Sequence, residues 1–167
     1  MSDQRTPRDF TPPVRAVEGG FELVLDREER ALLERLLDEL SALLTSDAEE
    51  HRALLSKLFP TAYPDDDEKE DEYQRLMREE LVASRLAAIG VMLGALRADD
   101  GERLDEPSTI AFMQSLNAVR LVLGTMLGIS DDDSADDADD NESPEHQLYT
   151  FLSWLLEWTV QALTPAG

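Results

Sequence analysis

The chain has 167 residues, with 37 acidic against 15 basic side chains, a formal charge of −22 and no cysteine. That length fits one domain, and a hydrophobic share of 42% is enough for a real core. The lack of cysteine excludes disulfides, thiolate metal sites and a thiol nucleophile, and the polar, Pro-containing start MSDQRTPRDFTPP lacks the apolar run of a targeting signal, so a reducing, cytoplasmic location is expected.

Residues 1–12 read as a disordered N-terminus, followed by a single helical domain over 13–164. Val14-Arg15-Ala16 and Phe21-Glu22-Leu23-Val24-Leu25 flank Gly19-Gly20, which predicts a small β-hairpin with Phe21, Leu23 and Leu25 on its buried side. Asp26 followed by Glu29 has capping-box spacing and opens a first helix, along which Leu32, Leu33, Leu36, Leu37, Leu40, Leu43 and Leu44 form an apolar stripe. A short helical piece at about 49–58 ends in Leu58-Phe59-Pro60, and Pro60 and Pro64 frame Tyr63 in a stiff loop.

The third helix is expected from about Asp67 to Arg97, with Tyr73, Leu76, Met77, Leu81, Ala88, Val91, Met92 and Leu96 on its buried side. A fourth helix, about 108–128, follows Pro107 and is apolar nearly all round, which places it centrally. The fifth runs from about Pro144 to Leu163. His146, Thr150, Ser153, Glu157 and Gln161 share its solvent stripe, while Phe151, Trp154, Leu155, Trp158 and Leu163 point inward. The expected fold class is therefore mainly α: a compact bundle of four to five helices carrying a small N-terminal β-hairpin.

The negative charge is concentrated. Residues 59–72, 99–107 and 131–145 carry −6, −4 and −9, leaving −3 for the rest of the chain. The run DDDSADDADDNE cannot bury anything, so a disordered acidic linker is expected at about 131–143. It lacks the central Gly and the spaced ligands of an EF-hand loop, so no metal site is assigned to it. The apolar stretch 148–163 is too short to span a bilayer, and 110–129 carries Gln114, Asn117 and Arg120, so no membrane span is expected.

No catalytic motif is present. His51 and His146, the two imidazoles, stand outside HExxH and paired Glu-x-x-His patterns and read as surface or capping groups. No nucleophile elbow, dinucleotide turn or Walker loop appears, so no catalytic, cofactor-binding or metal residue is assigned. Two spacings remain. Gly90-x-x-x-Gly94 and Gly124-x-x-x-Gly128 each place glycine inside a helix at a cost of about 1 kcal/mol; close packing accounts for Gly124, and a helix-terminating role accounts for Gly128. Asn117 and Arg120 lie within one helical turn, on the same side as Gly124. Arg120 is either a structural clamp onto Glu72, Glu79 or Glu80 or the lining of a partner groove, with Tyr63 a further candidate contact. Arg75, Arg78 and Arg85 fall within about 80° on the third helix and form the candidate phosphate contact. Pairing with Asp71, Glu79 and Glu80 would reduce them to a solvated, salt-bridged face.

The stretches Leu58-Phe59-Pro60-Thr61-Ala62-Tyr63-Pro64 and Glu72-Tyr73-Gln74-Arg75-Leu76, with the block from Leu116 to Ile129 (LNAVRLVLGTMLGI), carry a resemblance. The chain resembles the actinobacterial domain-of-unknown-function 2017 family of AosR-like oxidative-stress transcriptional regulators over about 14–163. It departs from that family's pattern at Ala118 and Phe112, and without thiols any oxidation sensing would fall to Met77, Met92, Met113 or Met126. The resemblance implies a non-enzymatic regulator that meets the transcription apparatus through protein contacts. Direct DNA binding is disfavoured because acidic segments repel phosphate over a Debye length of about 8 Å. The alternative is an adaptor or structural interaction module unrelated to transcription, for instance in protein turnover. A homodimer through an apolar face stays open.

Overall fold

The computed structural model describes residues 10–46, 48–59, 61–98, 103–128 and 143–165. Strand β1 (Val14–Val17) pairs antiparallel with β2 (Gly20–Leu23), placing Val14 opposite Leu23 and Val17 opposite Gly20. Leu23 and Leu25 are buried and Phe21 half-buried, following the predicted alternation. Gly20 is required by a neighbour as well as by its φ of 149°. A Cβ there would lie 2.5 Å from the carbonyl oxygen of Leu104. Phe21 and Leu104 exchange backbone hydrogen bonds of 2.9 and 2.8 Å, so the connection into the fourth helix is pinned to the hairpin.

Five helices follow among the described residues: α1 (Arg27–Leu44), α2 (Glu49–Leu54), α3 (Asp67–Arg97), α4 (Glu106–Leu127) and α5 (Pro144–Leu163), with a 3₁₀ turn at Ser56–Leu58. The capping box forms as read. The Glu29 N–H donates to the Asp26 carboxylate at 2.8 Å, and the Asp26 N–H donates to the Glu29 carboxylate at 2.9 Å. Helix α4 begins slightly earlier than its Pro suggested, because Asp105 caps it by accepting from the Ser108 N–H at 2.8 Å. It ends on Gly128 in the left-handed conformation, φ 72°, the terminator role expected of that glycine.

Helix α4 is central, packed on α3 and α5 along its sides and on α1 and the 3₁₀ turn, with β1 closing over α5. Phe112, Leu116, Ala118, Val119 and Val122 of α4 lie in one buried cluster with Leu33, Leu37, Leu40 and Leu44 of α1, Ile89, Met92 and Leu96 of α3, and Leu152 and Leu155 of α5. By length and composition α4 alone among the described helices could cross a membrane.

Three residues expected inside are exposed: Leu76 (64%), Val91 (44%) and Trp154 (38%). Val91 and Trp154 lie on the sides of α3 and α5 turned away from Ile89 and from Leu152, and only one side of each helix is covered. Leu76 is turned away in the same manner, about 140–160° round α3 from Ile89, Met92 and Leu96 at about 100° per residue, and it also lies near the start of a long helix. The 31 residues of α3 span about 46 Å against about 33 Å for the 22 of α4. No residue before Ile89 in α3 is fully buried. Its first turns form an arm with little to lie on. Conversely, the Ser153 hydroxyl, assigned to the solvent stripe, is buried and without a hydrogen-bond partner. Gly90 and Gly94 meet nothing within 4 Å of a Cβ, so they do not mediate a close approach within the chain.

The expected disordered stretches at 1–12 and 131–143 lie mostly outside the described residues. Of those described, the Phe10 ring stands 5.5 Å from that of Trp158, and Ser143 caps α5.

Candidate functional site

Asn117, Arg120 and Gly124 recur along the side of α4 that faces α5. Arg120 is half-buried; its Nη2 donates to Asn117 Oδ1 at 3.1 Å and its Nη1 to the Tyr149 hydroxyl at 3.2 Å. Its Nε is fully buried with no acceptor. The expected clamp onto Glu72, Glu79 or Glu80 does not form, because this side of α4 turns to α5 and not to α3. Close packing at Gly124 does occur: a Cβ would come within 3.1 Å of Tyr149 Cε2, so the close neighbour is the aromatic ring and not a backbone.

A half-buried guanidinium with two neutral acceptors and no carboxylate adds little to stability, since its desolvation offsets its bonds. Arg120→Met is therefore expected to leave the urea-unfolding free energy within about 1 kcal/mol of the parent. A loss above about 3 kcal/mol would show instead that a buried ion pair had been broken.

The arm of α3 carries the other candidates. Glu70 organises the loop that precedes it: Ala62 and Tyr63 donate their backbone N–H groups to Oε1 at 2.9 and 2.7 Å, and Gln74 Nε2 donates to Oε2 at 2.6 Å. These bonds, that of Gln74 foremost, favour the ionised form and hold the Glu70 carboxyl below its ordinary value of 4.5. A depressed carboxyl contributes fully above its ordinary value and loses that contribution as pH falls through the depressed one. The amide resonances of Ala62 and Tyr63 should accordingly titrate with a midpoint below 4.5, and Glu70→Gln should abolish that titration.

The loop so held presents Tyr63, 44% exposed, edge-on to Tyr73 at 5.9 Å. With Leu76, Lys69 and Glu72 they line an open cleft of about 310 Å³. Arg75 is exposed, while Arg78 and Arg85 are half-buried on the side of α3 that further along carries Ile89, Met92 and Leu96. The Arg78 guanidinium lies 4.8 Å from the centroid of the Phe59 ring. None of the three arginines makes an ion pair among the described residues, so the expected pairing with Asp71, Glu79 and Glu80 is not found. Ion pairs form elsewhere, as in Arg15–Glu22 at 3.3 Å and Arg97–Glu34 at 2.6 Å. Tyr63 and the arginines thus share the arm but not one face of it.

A third feature was not read from the sequence. Leu36, Leu40 and Leu43 of α1, Val122 and Met126 of α4, and Leu148 of α5 border an apolar groove of about 160 Å³. Among the described residues no group of three or more His, Asp or Glu side chains could hold a metal ion. His51 Nδ1 is bonded to the Ser46 hydroxyl at 2.6 Å and His146 Nδ1 to the Ser143 hydroxyl at 2.5 Å; both rings are half-buried, and the caps of α2 and α5 are Ala48 and Ser143 rather than the histidines.

The family model described as "Domain of unknown function (DUF2017)" matches residues 10–163. The chain belongs to that family. No curated protein and no solved structure matches it. In this DUF2017 chain the residue most overlooked by sequence reasoning is Arg30. Its guanidinium donates to the carbonyls of Leu25 at 3.2 Å and Leu96 at 3.1 Å, with longer contacts of 3.5 Å to Leu23 and Ala95. The available signal was its position three residues before Leu33 and seven before Leu37, on the apolar stripe itself. Tyr149, the partner of Arg120, carried no such signal, because spacing within α5 says nothing about α4.

Proposed function

We propose that this DUF2017 chain is a non-enzymatic regulator that works through protein contacts made by the arm of α3, with the transcription apparatus as its partner. The observation that carries the contact reading is the arm itself. The loop before it and its first three turns expose Tyr63, Leu76 and Arg75, and Arg75 has no ion pair among the described residues. Exposed apolar and aromatic anchors beside an unpaired arginine are what a partner's surface would use. The transcriptional part rests on the resemblance to AosR-like actinobacterial stress regulators.

The test is to purify the tagged chain from its native host with and without oxidative stress, identify what accompanies it, and compare transcripts with those of a deletion strain. Co-purification of RNA polymerase or a sigma factor, with a changed set of stress transcripts, is the expected result. Recovery of protease components with unchanged transcripts would favour the adaptor reading and overturn the transcriptional one.

A further inference from the structure

The hydrogen bonding around Arg120 is one-sided. Arg120 is the only lysine or arginine in α4 and α5. Its Nη2 and Nη1 donate to Asn117 Oδ1 and to the Tyr149 hydroxyl, both neutral, while its Nε is buried without an acceptor. An Asn117 oxygen turned to the guanidinium leaves Nδ2 turned elsewhere. Neither that Nδ2 nor the Tyr149 O–H proton has an acceptor among the described residues. What stands unpaired is therefore a set of donors about one positive charge.

Gly124 seats the cluster. Because it has no Cβ, the Tyr149 ring lies against α4, its centroid 5.8 Å from Arg120 Cζ. Arg120, Asn117 and Tyr149 are each half-buried, so the cluster opens to solvent. A charge so shielded ordinarily meets an opposite one. Yet in a chain of 37 acids Arg120 makes no ion pair among the described residues, and Glu145, one turn before Tyr149, is exposed and does not reach it. The complement of such a cluster is an anionic acceptor. A carboxylate fits it: planar, matched to the guanidinium fork, and carrying one charge to balance one. A phosphate dianion would bring a second negative charge into a half-buried seam with no second cation, on a chain of net charge −22.

We propose that the seam between α4 and α5 at Arg120 is a carboxylate-binding site. The guanidinium supplies the charge, and Asn117 Nδ2 and the Tyr149 hydroxyl donate to the carboxylate oxygens. The same group is presented by a free small acid and by an aspartate or glutamate side chain of a protein, and the experiment separates the two sources. The site lies on other helices than the α3 arm and stands whether or not the arm reading holds.

The experiment titrates the isotopically labelled full chain, at neutral pH and constant ionic strength, with acetate, with the capped tripeptides acetyl-Gly-Asp-Gly-amide and acetyl-Gly-Asn-Gly-amide, and with inorganic phosphate. Acetate, the Asp tripeptide or both are expected to give saturable shifts of the Arg120 Nε–H and Tyr149 amide resonances, with a dissociation constant of about 1–10 mM. Comparable affinities for the two indicate a free acid as the source, and binding of the Asp tripeptide at least about tenfold more tightly indicates a protein chain. Phosphate is expected to bind at least about threefold more weakly than the better carboxylate. Read at the Tyr149 amide, Arg120→Met should weaken binding at least about tenfold, and Tyr149→Phe, read at the Arg120 Nε–H, about fivefold. Melting temperatures near that of the parent serve as the folding check on both variants. Absence of saturable shifts with both carboxylates, equal binding of the Asn tripeptide, phosphate as tight as the better carboxylate, or undiminished binding by the folded variants would each overturn the proposal.

Discussion

Phe112→Ala is expected to destabilise the fold by about 3–5 kcal/mol, a large part of a typical total of about 5–15 kcal/mol. Phe112 is 1% exposed and is among the largest fully buried side chains. It sits in the first half of α4, and a void of only about 10 Å³ lies beside it, bordered by Leu33, Leu37 and Leu152 among others. Because α4 is packed against α1, α3 and α5, the walls of the new cavity belong to several helices and cannot all close at once. Cavity terms add to the lost transfer energy under such conditions. Urea titration of the variant should show the midpoint falling with little change in slope. A loss under about 1.5 kcal/mol would mean that α4 is not the centre of the core.

Arg30→Met should cost about 2–3 kcal/mol, more than its place on an acid- and base-rich helix suggests. Its guanidinium joins three elements by donating to carbonyls at the exit of β2 and at the C-terminal end of α3. A cation there also meets the negative end of the α3 dipole. Methionine keeps the stem but leaves half-buried carbonyls without their charged donor. Arg30→Lys is expected to recover less than half of the loss, because one ammonium cannot spread across carbonyls on both sides as the planar fork does. Full recovery by lysine would show that charge alone, and not the fork, matters at this position.

Much of the architecture was legible because it is local. Asp26 and Glu29 announced α1, acidic residues announced the start of α3, and Pro144 marked the start of α5. The bounds expected for α3 and α5 coincide with those found. The hairpin followed from Gly19-Gly20 and the alternation of Phe21, Leu23 and Leu25. What could not be read was which side of each helix would be covered. Leu76 and Val91 fit a helical apolar pattern as well as Met92 does, yet burial depends on which side another helix covers, and both face away from the side that carries Ile89, Met92 and Leu96.

The candidate site shows the same limit. Spacing alone brought Asn117 and Arg120 together. It could not name Tyr149, which arrives from another helix, or forbid the pairing of Arg120 with α3. Nor could it tell that Arg75, Arg78 and Arg85 would lack ion pairs among the described residues, since carboxylates four residues away on a helix need not turn toward them.

The central claim, that the arm of α3 is the contact surface, is tested most directly by the variant Tyr63→Ala/Leu76→Ala/Arg75→Gln. All three positions are exposed, so the melting temperature should match that of the parent. In the native-host purification the account predicts at least about a tenfold fall in the recovered partner, in line with anchors worth more than about 1 kcal/mol each. Undiminished recovery by the folded variant would contradict it.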